Sequence, residues 1–387
     1  MSLAIVDARE WQNLLDLRTG KKVQIDPNNK DERARMPQTA MLRDILHRHP
    51  YPGDGDIRSN RWVTDSALDL IAAYEPQLAC VIYGHQYFAG RYTPMTDDAR
   101  RRMMEDLFSE IDRFVTQSGY APVIVGTGEM IPLAGEIDLV NLDGLAISSH
   151  WSARYAGLHH ATPRDLDHVR SLPEVERIVG RDEWIATFPG AAVQPERVPE
   201  HLLLAAEGWT YVTTGTPMRR AVRVPGKSFQ IPLATELGEA AALTDIRNLI
   251  YASASKGKKV ALIVAEGVGM KDFLMPFVPC SNQTDWHYYE PGDGFYLTLS
   301  TGTHQVFAYP SGYNYLDETD DKKDLPFSGY FLDLPAHALG DDFLGKSVAV
   351  GNHSMFVHTV FGADVCMECF ARNLYNQGGF GVIHRFR

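Results

Sequence analysis

The sequence predicts an α/β protein with a mainly parallel sheet flanked by helices and a C-terminal portion richer in antiparallel strand. Continuous apolar runs of strand length, at Leu78–Tyr83 and Val260–Ala265, are typical of strands buried on both faces. A long helical pattern separates the first of these runs from another at residues 121–125. Strand, helix and strand in this order predict a crossover connection and parallel pairing.

The other elements follow in chain order from apolar periodicity and from cap and turn residues. Helices are predicted at residues 10–17, 39–49, 63–74, 97–117, 165–169, 174–179 and 235–255. Further strands are predicted at residues 3–6, 137–140, 145–147, 202–206 and 209–213. Thr96 is the expected N-cap of the long helix, because Asp97 and Asp98 complement the dipole of its first turn. Residues 295–299 and 305–309 are expected to form a β-hairpin.

Length and composition predict two regions. A chain of 387 residues corresponds to about two domains. Aromatic and glycine residues become more frequent after Pro276. We therefore assign residues 1–235 to one α/β region. Residues 236–387 form a C-terminal α/β region that contains the hairpin and either stands alone or completes the same sheet.

Charge narrows the range of partners. The chain has 37 Lys and Arg residues against 49 Asp and Glu residues, a formal net charge of −12. Such a chain gains little from counterion release on a phosphate backbone, so nucleic acid is not an expected partner. A small anion could still bind at the local basic group of Arg219, Arg220 and Arg223. The expected partner is a small molecule or a protein, and a homo-oligomer stays open.

Cysteine usage and hydropathy indicate the compartment. Four cysteines are too few for a disulfide scaffold, which indicates a reducing environment. The N-terminal residues lack the basic region and the apolar core of a signal peptide. No apolar run reaches the roughly 18 residues of a membrane span. A cytoplasmic protein without a membrane partner is expected.

Three motifs follow predicted strands or loops of the first region. They are Ala89-Gly90-Arg91-Tyr92-Thr93-Pro94, Val125-Gly126-Thr127-Gly128-Glu129-Met130 and Val224-Pro225-Gly226. In order and framework they resemble the alkaline phosphatase superfamily, in particular its nucleotide pyrophosphatase, phosphodiesterase and phosphonoacetate hydrolase branches. That family typically has Gly-His-x-Tyr-Gly-Pro, Asp-His-Gly-Met and His-Gly at these places. The resemblance implies an alkaline-phosphatase-like framework over about 60% of the chain.

The sequence departs from the family where the family binds its two metal ions. On this resemblance, Gln86 stands for an Asp ligand, Gly90 for a His and Pro225 for the late His. Thr127 and Gly128 stand for the Asp-His pair. Gly and Pro side chains cannot coordinate a metal, and Gln and Thr are weak ligands for a zinc-type ion. No cofactor is therefore expected at the usual site.

The replaced ligands lead to a first hypothesis about function. The chain would be a divergent relative that binds a small ligand or a protein partner instead of hydrolysing an ester. Strand ends are the usual place for ligands in α/β proteins. The expected binding residues are His85, Gln86, Thr127, Glu129, Asp143 and Arg223. Asp143 is equally typical of a plain turn, because Gly144 follows it.

A second hypothesis is an active hydrolase of phosphate, phosphonate or other esters with a relocated metal site. Asp285, His287 and Glu290 lie close together in sequence, and their oxygen and imidazole groups suit a divalent ion such as zinc or manganese. If this stretch is a strand, Asp285 and His287 share one face. Asp143 could add a carboxylate, or Glu266, which directly follows the strand Val260–Ala265. That strand is similar to the family's first ligand-bearing segment, so a circular permutation stays open.

The C-terminal part carries one more group of metal-binding residue types. His353, His358, Cys366 and Cys369 would suit zinc, but their spacing matches no usual zinc finger. Apolar residues surround all four, which favours buried core thiols.

Overall fold

The structure is a computed structural model. It describes residues 13–16, 21–24, 37–53, 55–148, 154–188, 198–212, 220–304, 345–352, 363–369 and 379–383. The helices are α1 Pro37–Arg48, α2 Arg58–Tyr74, α3 His85–Tyr92, α4 Asp97–Ser118, α5 Pro163–Arg170, α6 Arg181–Thr187, α7 Ile246–Ala254 and α8 Asp293–Thr301. A 3-10 turn at Leu243–Asp245 precedes α7.

Twenty strands lie in the described residues along with these helices. The first ten are β1 Asn13–Asp16, β2 Lys21–Gln24, β3 Leu78–Tyr83, β4 Ala121–Gly126, β5 Met130–Pro132, β6 Gly135–Ile137, β7 Leu145–Ser148, β8 Tyr155–His159, β9 Val175–Gly180 and β10 His201–Ala205. The others are β11 Trp209–Tyr211, β12 Arg223–Pro225, β13 Gln230–Thr235, β14 Val260–Ala265, β15 Val278–Ser281, β16 Gln283–Thr284, β17 His287–Tyr288, β18 Ser347–Gly351, β19 Val365–Cys369 and β20 Gly379–Ile383.

A ten-stranded sheet forms the centre of the molecule. Its order is β15-β13-β4-β14-β3-β18-β19-β20-β1-β2. The five adjacent strands β4, β14, β3, β18 and β19 are all parallel, while β13 and β20 join this block antiparallel. The protein is therefore mixed α/β with a parallel centre, as the sequence predicts. Strands from both sides of residue 235 belong to this one sheet.

Strand β3 shows why these apolar runs become central strands. Side chains alternate between the faces of a sheet, so a strand covered on both faces must be apolar throughout. Leu78, Cys80 and Ile82 belong to one hydrophobic core, and their neighbours Ala79 and Val81 belong to the other. Helices α7 and α8 contribute to the first core, and α1, α2 and α4 to the second.

A smaller antiparallel sheet lies beside the main one. Its order is β7-β8-β10-β9, and Leu158 and Leu203 from its middle strands lie in a third core together with Tyr211 of β11. Among the helices that the structure describes, none is long and apolar enough to cross a membrane.

Several predicted elements are confirmed almost to the residue. Strands β3 and β14 have the predicted bounds. Helix α4 begins after Thr96, whose hydroxyl accepts a hydrogen bond from the Ala99 amide at 3.2 Å. Helices α1, α2 and α5 also lie where apolar periodicity predicts them. The predicted strand at residues 3–6 lies outside the described residues.

Two predicted helices are strands. The described part of the helix predicted at residues 10–17 is β1, which pairs with β2 and β20. The helix predicted at residues 174–179 is β9, which pairs antiparallel with β10. Strand β9 contains three β-branched residues, Val175, Ile178 and Val179, which favour an extended chain. A short apolar pattern is compatible with both the helical and the strand periodicity. Pairing with partner strands therefore determined that both segments are extended.

The helix predicted at residues 235–255 is much shorter in the structure. Thr235 ends β13, and regular α-helix begins only at Ile246. The Asp245 carboxylate accepts hydrogen bonds from the amides of Ala241 and Ala242 at 3.0 and 2.9 Å, which fixes an irregular approach to the helix. Gly238 has a φ of 150°, a backbone conformation that favours glycine.

The predicted hairpin is also wrong in its first strand. Residues 295–299 lie within helix α8, which ends at Gly302 with a φ of 70°. A short run of apolar residues does not distinguish a buried helix from a buried strand, and Gly302 is a helix C-cap here instead of a hairpin turn. The second predicted strand, residues 305–309, lies outside the described residues.

Candidate functional site

The carboxyl ends of four central parallel strands lie at the same edge of the main sheet. Gly84 follows β3, Thr127 follows β4, Glu266 follows β14 and Asn352 follows β18. Parallel strands bring such loop residues together at one edge, the usual place for ligands in α/β proteins. We call this region the carboxyl edge.

The Gln86 side chain connects three elements at this edge. Its amide nitrogen donates hydrogen bonds to the carbonyl oxygens of Tyr83 and Glu266, at 2.6 and 2.7 Å. Its amide oxygen accepts a hydrogen bond from the Asn60 side chain at 3.1 Å. Because Gln86 is 1% exposed and its amide is fully used, it holds the loops after β3 and β14 in register.

Asn352 does the same for strand β18. Its amide oxygen accepts a hydrogen bond from the Gly84 backbone at 2.5 Å. Its amide nitrogen donates to the Asn60 side chain at 3.0 Å and to the Ser59 hydroxyl at 3.2 Å. Helix α2 is thereby tied to two strand ends by neutral side chains.

Glu266 places a carboxylate in the middle of this framework. Its side chain is fully buried and accepts a hydrogen bond from the Tyr296 hydroxyl of α8. A Cβ atom on Gly84 would lie 2.9 Å from the second carboxylate oxygen, so a larger residue there would displace this carboxylate. The next residue, Gly267, has a φ of 67°, and its amide donates to the Thr127 hydroxyl at 2.8 Å.

Glu266 belongs to a group of buried charged side chains. We call Arg91, Arg154, Glu266 and Glu290 the buried charge cluster; their exposed fractions are 5, 6, 0 and 8%. Glu266 and Glu290 both act electrostatically on the Tyr87 hydroxyl. Glu290 also acts on Arg91 and on Arg154, so it lies near both guanidinium groups. Buried charges are costly unless they are paired, and this cluster contains two charges of each sign.

Several contacts hold Arg154 in place. Its backbone amide donates to Glu290 at 3.4 Å, and its guanidinium donates to the Ala205 carbonyl at 3.0 Å. The guanidinium also forms an ion pair of 3.2 Å with Glu176 and lies 4.7 Å from the centre of the Tyr288 ring. Charge, backbone and aromatic contacts thus fix this side chain from different sides.

His287 lies near Arg154 and is surrounded by aromatic side chains. Its ring stacks on Tyr155 with 4.7 Å between centres and meets the edges of Phe188, Trp286 and Tyr289. Burial, with further contributions from the Arg154 charge and from His304, lowers the pKa of His287 to about 3. The imidazole is therefore neutral at ordinary pH, and its Nδ1 has no hydrogen-bond partner among the described residues.

The structure brings together some of the predicted binding residues. His85, Gln86 and Thr127 are buried at the carboxyl edge, and the loop carrying Thr127 continues to the half-buried Glu129. The Glu129 carboxylate forms a surface ion pair with Lys271 at 3.1 Å.

Two other predicted binding residues have different surroundings. Arg223 lies on β12, and its guanidinium donates to the Met130 carbonyl at 3.0 Å. Asp143 precedes β7 of the smaller sheet, where its backbone amide donates to Asp165 and its exposed carboxylate lies 3.7 Å from Arg164.

The three residues of the predicted relocated metal site do not form a common ligand set here. Asp285 is exposed in a turn with a φ of 49°, while His287 and Glu290 are buried. Within the part of the chain that the structure describes, no group of three or more His, Cys, Asp or Glu side chains could hold a metal ion. Of the predicted C-terminal group, Cys366 is buried in the core, and His353 and His358 lie outside the described residues.

Sequence reasoning missed Arg91, Arg154, Tyr87 and Tyr296. Arg91 lies in the motif of residues 89–94, but nothing in that motif indicates that its side chain is buried. Arg154 and Glu290 are 136 residues apart, so no local spacing indicates their contact. The one available signal was the density of aromatic residues around His287.

Comparison with known proteins gives a limited result. No protein-family model matches the chain, and no curated protein matches it. It is similar to two crystal structures of phosphonoacetate hydrolase from Sinorhizobium meliloti 1021, in complex with phosphonoacetate (15% identity, TM-score 0.36) and with phosphonoformate (16% identity, TM-score 0.35). Both matches cover 51% of this chain and 56% of the hydrolase, so the chain spans about half of that enzyme's length. At these values the likeness establishes neither a common fold nor a common activity.

Proposed function

We propose that this chain binds a small polar molecule at the carboxyl edge, on a divergent alkaline-phosphatase-like framework whose usual metal ligands are replaced. The observation that carries the proposal is the buried charge cluster. Two carboxylates and two guanidinium groups are each less than 9% exposed and lie around Tyr87 and Glu290.

Such a cluster is not expected to increase the stability of the fold. Burying an ion pair costs desolvation that its attraction often does not repay, and apolar residues of similar size are often as good. Buried ionisable groups with specific charge partners are concentrated at functional sites. Rigid amide contacts from Gln86 and Asn352 hold the surrounding loops, as a preorganised binding site requires.

A metal-dependent hydrolase is the second candidate, and one observation favours it. Neutral imidazole is the metal-binding form of histidine, and His287 is held neutral with an unpartnered Nδ1. Zinc or manganese would be the expected ion. Glu290 and a further ligand from elsewhere in the chain would then complete the site.

A ligand screen tests the first proposal. The purified chain would be heated with a panel of small polar metabolites, and compounds that raise its melting temperature would be titrated by calorimetry. Glu290→Gln should weaken binding at least about tenfold, since a charged hydrogen bond contributes about 1.5–3 kcal/mol. Glu110→Gln is the matched control, because it removes a Glu–Arg ion pair of α4 with Arg113.

The outcomes separate the two candidates. Binding that Glu290→Gln weakens and Glu110→Gln leaves unchanged supports a small-molecule-binding protein. If no compound in the panel binds, the proposed small-molecule binding is contradicted. Metal analysis of the purified chain and a phosphodiester assay with added zinc and manganese complete the design. One or two ions per chain together with turnover would favour the hydrolase.

A further inference from the structure

Three buried groups near Arg154 that can donate a hydrogen bond have no partner in the part of the chain that the structure describes. They are the Nε of Arg154, the hydroxyl of Tyr211 and the Nδ1 of His287. The three side chains are 6, 2 and 7% exposed. Each buried polar atom without a partner costs about 1–3 kcal/mol, so three in one place call for an explanation. We call these residues the Arg154 group.

Arg154 links the other two side chains. The Arg154 guanidinium donates to the Ala205 carbonyl, and Ala205 and Tyr211 lie in the same hydrophobic core. His287 stacks on Tyr155, whose ring centre is 5.9 Å from the Arg154 guanidinium. The Arg154 charge also acts electrostatically on both Tyr211 and His287.

All three atoms can donate a hydrogen bond at the same time. The guanidinium Nε–H is only a donor, the phenol hydroxyl can donate, and a neutral imidazole can carry its proton on Nδ1. A group that satisfies three donors must offer several acceptor oxygens. Carboxylate and phosphate groups do this, and arginine is the usual residue that recognises them.

Charged side chains also surround Arg154. Glu290 acts electrostatically on both Arg91 and Arg154. The other carboxylate on Arg154, that of Glu176, also pairs with Lys227 at 2.7 Å. Glu266 acts electrostatically on Tyr87 and accepts a hydrogen bond from Tyr296. None of these charged contacts uses the three donors of the Arg154 group.

We propose that Arg154, Tyr211 and His287 form a subsite for a small oxyanion, the carboxylate or phosphate group of the bound molecule. The subsite rests on the proposed function and names the chemistry of part of its ligand. The rest of the molecule would extend along Glu290 toward Arg91 and Tyr87.

Inorganic phosphate and acetate are the probes, each titrated into the full chain against chloride at equal ionic strength. Binding would be measured by calorimetry and by the melting temperature. The wild-type chain should bind one of the two anions, and the comparison between them distinguishes a phosphate from a carboxylate site. The imidazole nitrogen signals of His287 should shift on titration, because Nδ1 gains a partner.

Tyr211→Phe should change the melting temperature and the affinity for the anion in opposite directions. Without ligand this variant should melt at a higher temperature, since it loses an unpartnered hydroxyl. Its affinity for the anion should fall about tenfold. Ser66→Ala is the matched control: Ser66 in α2 also has a buried, unpartnered hydroxyl, so it should melt higher with unchanged affinity.

Two results would overturn the subsite. One is that neither anion shifts the melting temperature or the His287 signals. The other is that Tyr211→Phe binds the anion as tightly as the wild-type chain. If metabolites from the panel still bind and depend on Glu290, the proposed function stands without this subsite. If they do not bind either, both proposals fail.

Discussion

At the scale of single residues, the hydrogen bonds of the Asp165 carboxylate affect how the stability of the chain depends on pH. Asp165 accepts hydrogen bonds from the amides of Thr162, Asp143 and Gly144 at 2.8, 2.8 and 3.0 Å. The Thr162 amide, followed by the other donors, lowers the pKa of Asp165 to about 2. These bonds favour the charged form, so folding favours it too.

Asp165 should therefore contribute to acid sensitivity. Its folded pKa lies below its unfolded value, so its stabilisation is present above about pH 4 and is lost as the pH falls toward 2. In Asp165→Asn this part of the pH dependence should disappear. Urea unfolding of both chains between pH 2 and 6 checks this, and identical slopes of stability against pH would contradict it.

At the scale of elements, close contacts between loops hold the carboxyl edge together. Gly126 ends β4, and a Cβ atom there would collide with the Val268 carbonyl oxygen and lie 2.8 Å from the Pro232 ring. Backbone atoms of a neighbouring loop cannot give way cheaply. The edge therefore depends on glycine at this strand end, whereas Gly90 within α3 has no atom near its Cβ position.

These two glycines form a matched pair for mutation. Gly126→Ala should destabilise the chain by about 1–3 kcal/mol, the usual range for overpacking a core. Gly90→Ala should stabilise it by up to about 1 kcal/mol, because alanine favours a helix interior. Urea midpoints at constant m-value measure both effects. Equal effects of the two substitutions would show that the contacts at Gly126 do not constrain the edge.

At the scale of the whole molecule, the central sheet joins distant parts of the chain. Strand β18 pairs with β3 through five residue pairs, from Ser347 opposite Leu78 to Gly351 opposite Ile82. Asn352 then holds Gly84 at the carboxyl edge. The region before residue 235 and the region after it thus share one sheet and one candidate site.

A fragment of residues 1–304 should consequently fail to fold as a unit. Without β18 and β19, strand β3 would become an open, fully apolar edge, which is a template for aggregation. Circular dichroism and heteronuclear NMR of the fragment check this, with the full chain as reference. A cooperative unfolding transition of the soluble fragment would contradict it.

The sequence by itself determined the α/β class, the bounds of β3 and β14, and the cap of α4. These features depend only on residues close together in sequence. A continuous apolar run specifies a strand that is buried on both faces, and one hydroxyl group specifies a helix N-cap. It also directed attention to the strand ends, where His85, Gln86 and Thr127 are buried together. The roles of Gln86 and Thr127 as loop contacts were not readable from it.

Only the tertiary structure decided the rest. Residues 13–16 and 175–180 became strands because partner strands satisfy their backbone groups, and the apolar run of α8 became a helix. The contact of Arg154 with Glu290 joins positions 136 residues apart in the chain. Sequence patterns report periodicity and local hydrogen bonding, whereas a buried charge cluster arises only when distant segments pack together and exclude water.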